Sequence, residues 1–238
     1  MMRILPDFEA LSQSAAELVM EQSKKAIETR GLFSLVLSGG STPRRTYELL
    51  AAERFRTLIE WNKVHIFWGD ERCVPPDDPR SNERMAREVF LDHVPVPQEQ
   101  IHPIRCAGSP QQAAQAYEST LRDFFRDRDP SFDTVLLGLG EDGHTASLFP
   151  GSPALKENKR WVMAARSGKE DFERVTLTPV IINRAMNIVF LVAGKEKAKI
   201  LREVTADAAV GDPLPARLIC PSGGQLVWLV DKETGGVE

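Results

Sequence analysis

Cysteine is scarce in this chain: three occur in 238 residues, Cys73, Cys106 and Cys220. They stand far apart with no C-x-x-C pair, which argues against a zinc knuckle or a disulfide framework and predicts reduced thiols in a cytoplasmic protein. A surplus of positive charge is missing too. Lys and Arg number 30 against 34 Asp and Glu, a net charge of −4. No basic block is available to track a phosphodiester backbone, so nucleic acid is not an expected partner. Long apolar runs are absent. The strongest, 135–139 and 188–193, are far shorter than the roughly 20 residues a membrane-spanning helix needs, so no membrane is expected either. The amino terminus carries acids where a secretory or transit peptide would carry Arg and a long apolar stretch. No H-x-x-x-H or H-E-x-x-H element occurs, which speaks against a bound metal, and no G-x-S-x-G elbow occurs, which speaks against an acyl-serine route. With 42% hydrophobic and 27% charged residues, the composition is that of a soluble globular protein and excludes disorder, collagen and coiled coil.

What the chain does contain is alternation. Phe8, Leu11, Ala15, Leu18, Val19, Gln22 and Ala26 recur at three- and four-residue steps, and Gly31 follows where a helix stop is expected. Short apolar runs at 33–37, 64–68, 134–139, 188–192 and 226–230 read as strands buried on both faces. Between them, 43–56, 80–92, 111–126 and 195–206 read as helices. In the third of these, Ala113, Ala116, Tyr117, Thr120, Leu121, Phe124 and Phe125 trace one stripe, and Pro130 ends it. The pattern predicts an α/β fold with a mainly parallel sheet, helices on both faces, and ligands beyond the carboxyl ends of the strands. No low-complexity linker or repeat divides the chain, so a single domain over 1–238 is expected.

Chemistry-bearing residues gather at the ends of these strands. LVLSGGSTP runs a strand into a Gly-Gly turn, with Ser41 and Thr42 at an N-cap position and Pro43 as a natural first helical residue. Gly39, Gly40, Ser41 and Thr42 form either a phosphate cradle, with free amides and a helix dipole facing an anion, or a tight turn that binds nothing. The loop lacks the Lys of a Walker loop and the third Gly of a dinucleotide fingerprint, so nucleotides are not indicated. A second strand end carries Asp70 and Arg72, followed by PRSN with Asn82. Asp70 and Arg72 are catalytic candidates, an acid that could hold a base or accept sugar hydroxyls and a guanidinium that could fork onto an anionic group. Asn82 is a substrate-binding one, although a surface Asp-Arg ion pair and a Ser N-cap would account for all three as well. The third reads LLGLGEDGHTASLFP. It sets His144 beside Asp142, a side chain suited to proton transfer near neutral pH with a carboxylate able to fix its tautomer. His65, His93 and His102 have no comparable setting and are assigned structural or surface roles. Arg174 and Lys197, in RVTLT and AGKEKA, either add full positive charge to an anion site or decorate solvated faces.

In their order along the chain, LSGGSTP, GDER with PRSN following, GLGEDGHTASLFP, RVTLT and AGKEKA resemble the 6-phosphogluconolactonase family. That family stands with the glucosamine-6-phosphate isomerases and deaminases among Rossmann-like sugar-phosphate enzymes. The resemblance implies a Rossmann-like version of the α/β fold and hydrolysis of 6-phospho-D-glucono-1,5-lactone without cofactor. A phosphorylated sugar lactone is the expected partner; oligomeric state stays open, with a monomer favoured. By the same resemblance His144 is the base that activates water and Arg72 is the arginine of the G-D-E-R motif. The mechanism expected from this has Asp142 orient His144, and Arg72 or loop amides offset the charge developing on the carbonyl oxygen. Asp70 matches the proton-transfer acid of the isomerase relatives, and Gly39–Thr42 with Arg174 and Lys197 meet the phosphate. One departure matters. Isomerase-type chains resemble D-G-H-I-A-F-N-E-P here, whereas Phe149 precedes Pro150, so ring-opening machinery is incomplete and lactonase chemistry is favoured.

Overall fold

The apolar run Phe33–Leu37 is extended with all five side chains buried, and Thr134–Leu137 behaves alike, which requires cover on both faces of the sheet they enter. The computed structural model describes residues 1–168, 170–206 and 214–236. Its first half runs β1 (Met2–Leu5), α1 (Phe8–Arg30), β2 (Phe33–Leu37), α2 (Ser41–Ala51), α3 (Glu53–Arg56), β3 (Val64–Trp68), β4 (Asp70–Arg72), α4 (Asn82–Val89), β5 (Ile101–His102) and α5 (Pro110–Phe124). The second runs β6 (Thr134–Leu137), β7 (Val162–Arg166), β8 (Glu173–Leu177), α6 (Pro179–Ile182), β9 (Asn187–Val192), α7 (Ala198–Thr205), β10 (Gln225–Asp231) and α8 (Lys232–Gly235). Seven strands form one sheet in the order β1-β10-β9-β6-β2-β3-β5. Every pairing in it is parallel. From β2 the chain steps to β3 on one side and later returns as β6 on the other. The order therefore reverses between β2 and β6, the place where open α/β sheets bind ligands.

Local chemistry sets the helix ends. Asp7 caps α1 by accepting the Ala10 N–H at 2.8 Å, and Gly31 closes it in the left-handed region at φ 80°. A capping box joins Ser109 and Gln112 at the start of α5, with Pro110 as its first residue. The predicted stripe on α5 is partly wrong: Ala113, Tyr117 and Leu121 are buried, but Ala116 and Thr120 are exposed and Ala114 is buried instead. No helix among the described residues is long and apolar enough to cross a membrane.

Three parts of the fold escaped the sequence pattern, one of them the two-residue strand β5. β1 is an edge strand whose first three residues are exposed, so it carries no continuous apolar signal. A second, antiparallel sheet, β4-β8-β7, hangs beyond the carboxyl end of β3. The expectation of three reduced thiols is corrected. Cys73 follows β4 and Cys106 follows β5, and the fold brings their Cα atoms to 5.2 Å in a disulfide. A separation of 33 residues hid this pairing, because it depends on where two strands end and not on spacing. Cys220 is free and exposed.

Candidate active site

Beyond the carboxyl ends of β2, β3, β6 and β9 lies a cavity of about 260 Å³. Of the residues singled out in the sequence, Gly39, Gly40, Ser41, Thr42, Asp70, Arg72, Asn82, His144, Arg174 and Lys197 all line it. Asp142 does not; it stands behind His144.

One wall is the start of α2. Gly40 has φ 105° and ψ 172°, which glycine tolerates, and it is the N-cap. Ser41 and Thr42 are therefore the first helical residues and not the cap, which corrects the expectation for this loop. No side chain caps the helix, so the amides of its first turn keep no internal acceptor and leave its positive end open to an anion. Pro43, in that first turn, forfeits no helical hydrogen bond. Behind the loop, the fully buried Tyr47 hydroxyl accepts the Ser38 N–H and donates to the Ser38 carbonyl, both at 2.9 Å. Tyr117 does the same for Trp68 at the end of β3, at 2.9 and 3.1 Å. Burial pushes both phenols well above their ordinary range, so they stay neutral donors.

The second wall is the small sheet. Register places Asp70 opposite Thr176 and Arg72 opposite Arg174. Residues two apart share a strand face, so all four side chains project on one side. Two like charges face each other here, and acids offset them. Arg174 donates Nε and Nη2 to the Glu170 carboxylate at 2.9 and 2.5 Å, and Nη1 to Asp70 Oδ2 at 3.4 Å. The ion pair at this strand end is thus buried and its cation is Arg174, whereas the sequence suggested a surface pair with Arg72. Asp70 is 5% exposed and also accepts from Ser147 Oγ at 2.6 Å and Asn82 Nδ2 at 3.4 Å. Arg72 is steadied by donating Nη1 to the Arg80 carbonyl at 2.5 Å.

Glu71, between them, turns away to hold the start of α4. Its carboxylate accepts the N–H groups of Arg72, Asn82 and Glu83 at 2.7, 2.8 and 2.7 Å and the Ser81 hydroxyl at 3.1 Å. Burial raises its pKa in spite of these donors. Ser81 caps the helix by accepting the Arg84 N–H at 3.1 Å, and Asn82 reaches back to donate to the Asp70 carbonyl at 2.9 Å.

The third wall carries His144. Its Nδ1 lies 2.5 Å from Asp142 Oδ1, which also accepts the His144 N–H at 3.2 Å. Burial works to raise the Asp142 pKa, but the hydrogen bonds and charge of His144 outweigh it and hold the carboxyl below its ordinary value. In the neutral ring a carboxylate at Nδ1 favours the tautomer with the proton there, which leaves Nε2 with a lone pair. The ring packs against Gly140, where a Cβ would stand 2.1 Å from Nδ1. Its other neighbour is Phe149, with ring centroids 4.9 Å apart, and the Arg174 guanidinium lies 5.6 Å from the same Phe149 ring. Thr145 Oγ1 donates to the Gly138 carbonyl at 2.8 Å and closes the loop back onto β6. Lys197 completes the lining, its Nζ 4.0 Å from the exposed Glu141 carboxylate. The site thus joins an imidazole held by a carboxylate, three cationic side chains and an open helix start.

Sequence reasoning missed Ser147, Glu170 and Glu71. Ser147 acts on Asp70, 77 residues away, Glu71 holds backbone N–H groups and the Ser81 hydroxyl about ten residues on, and Glu170 pairs with Arg174 from a loop that carries no motif.

Residues 6–228 match the family described as Glucosamine-6-phosphate isomerases/6-phosphogluconolactonase. A 6-phosphogluconolactonase of Synechocystis sp. is 45% identical over 236 residues, covering 98% of this chain and 95% of that protein. One of Nostoc sp. is 42% identical over 236 residues with the same coverage, 98% and 95%. The solved 6-phosphogluconolactonase of Trypanosoma brucei superposes with a TM-score of 0.89 at 34% identity, covering 99% of this chain and 97% of that one.

Proposed function

Because the chain belongs to the family of glucosamine-6-phosphate isomerases and 6-phosphogluconolactonases, we propose that it hydrolyses 6-phospho-D-glucono-1,5-lactone to 6-phospho-D-gluconate. This is the second step of the oxidative pentose phosphate pathway. The observation that carries the reading is the pairing, across one cavity, of an Asp142-held His144 with the open first turn of α2.

The 6-phosphate docks on the amides of the Gly39–Thr42 turn, with Arg174 and Lys197 adding charge, and the remote anion orients the ester. C1 then lies at His144. Nε2 takes a proton from water as the water oxygen bonds to C1, and Arg72 or loop amides offset the charge growing on the carbonyl oxygen. The intermediate collapses by breaking the bond from C1 to the ring oxygen, and the imidazolium returns its proton to that oxygen. Asp70, hydrogen-bonded on both carboxylate oxygens, serves by holding Arg174, Ser147 and Asn82 in place and not by moving protons. Phe149 leaves the base without a second acid of the kind ring opening uses, which favours lactonase over isomerase.

The test is turnover of freshly generated 6-phosphogluconolactone against the unphosphorylated lactone, with the buffer rate subtracted. A preference of at least about 100-fold in kcat/KM for the phosphorylated substrate is expected. Equal handling of both lactones defeats the phosphate anchor, and ammonia release from glucosamine 6-phosphate moves the chain to the deaminase branch.

A further inference from the structure

We infer that Asp231 and Thr234, which do not line the cavity, are positioning residues that set its phosphate end by holding the Gly194 turn. The inference rests on the proposed phosphate anchor. β9 ends at Val192, Ala193 and Gly194 follow, and a 3-10 turn Lys195–Lys197 brings Lys197 to the cavity. Gly194 has φ 104° and ψ 138°, a conformation only glycine adopts freely. A Cβ there would also meet the Glu196 carboxylate at 2.4 Å. Such a turn has no regular ladder of its own to define it.

It is gripped from outside. The Gly194 N–H donates to Asp231 Oδ2 at 3.1 Å, and the Gly194 carbonyl accepts from Thr234 Oγ1 at 2.9 Å. The clamp is itself braced, since Asp231 Oδ1 accepts the Thr234 N–H at 2.8 Å. The Gly194 carbonyl also accepts the Lys197 N–H at 2.9 Å, so the peptide that Thr234 holds is the one that closes the turn carrying Lys197. Asp231 and Thr234 are 4% and 2% exposed, which shields both contacts from water. Sheet register explains the meeting. β10 runs parallel to β9 with Val230 opposite Val192, so Asp231 falls one step further, beside the start of the turn. The clamp therefore converts the fixed end of a core strand into a fixed position for Lys197.

A purely structural bond would show only in stability, whereas a positioning role shows in how phosphate is held. Thr234→Val removes the hydroxyl at constant shape, and Thr234→Ser restores it; Asp231→Asn weakens the brace. Each protein is assayed well below its unfolding midpoint for kcat and KM on 6-phosphogluconolactone, and for inorganic phosphate binding by calorimetry. Thr234→Val is expected to raise KM and the phosphate Kd together by about 3- to 10-fold, the scale of one lost hydrogen bond, with kcat within about twofold. Thr234→Ser is expected to return both to the wild-type values. Unchanged KM and Kd alongside a lowered midpoint overturn the positioning role, as does a loss confined to kcat. Wild-type protein that neither binds phosphate nor prefers the phosphorylated lactone sinks the reading of the site itself, and the inference with it.

Discussion

Gly39 sets a distance that no other residue allows. A Cβ on it would stand 1.9 Å from Asn82 Oδ1, so the Gly39–Thr42 loop and the start of α4 are in contact through the absence of a side chain. Asn82 cannot retreat cheaply. Its Nδ2 is bonded to the Asp70 carbonyl and its N–H to Glu71. Gly39→Ala must shift the loop, Asn82 or both, and displacements near 1 Å at a substrate clamp cost roughly 100-fold in efficiency. We expect kcat/KM on 6-phosphogluconolactone to fall by about that factor while far-ultraviolet circular dichroism stays unchanged. Steady-state kinetics of the alanine variant provide the check; wild-type efficiency would mean that the loop and Asn82 do not touch during turnover. At this scale the sequence marked side chains that the structure brings to the cavity, His144 by its setting after a strand and Arg72 and Lys197 only once the motifs were read together. It was opaque for Glu71, Ser147 and Thr234, whose parts are defined by partners that only the folded chain supplies.

Strands buried on both faces announced themselves as continuous apolar runs, and β2 and β3 fall where the pattern placed them. The small β4-β8-β7 sheet did not, because its strands mix charged and apolar residues to build a cavity wall. One consequence of the main sheet is testable in acid. His65 on β3 and His102 on β5 stand with Nδ1 and Nε2 3.2 Å apart, beside Phe67 and Phe124. Burial lowers both pKa values, with the charge of Arg128 adding to the effect at His65. At His102 burial is joined by the charge of His65, and the value falls to about 4. The unfolded chain binds protons near pH 6.5, before the folded one does, so stability is lost as pH falls from about 6.5 to about 4. Thermal unfolding between pH 7 and 4.5 is expected to show a falling midpoint, and His102→Gln should flatten that slope. A slope unaltered by the substitution assigns the acid sensitivity elsewhere.

For the whole molecule, the disulfide ties the cavity-wall sheet to the edge of the main one. Cys73 follows Arg72, and its N–H also donates to the Glu173 carbonyl at 2.8 Å, so the cross-link and the sheet hold the same segment. Thiol titration of the native protein purified without reductant should find one reactive cysteine, Cys220, and three after reduction in denaturant. Three free thiols before reduction contradict the pairing. Cys73→Ser with Cys106→Ser should lower stability by about 2–4 kcal/mol, read from denaturant unfolding.

The proposed mechanism depends on the His144 imidazole facing the acyl carbon of a phosphate-anchored lactone. The rate of 6-phosphogluconolactone loss, followed for wild type and for His144→Asn against the spontaneous reaction in buffer, tests this most directly. The account predicts a fall in kcat of at least about 100-fold with the unfolding midpoint preserved. Undiminished turnover by a folded His144→Asn protein would contradict it.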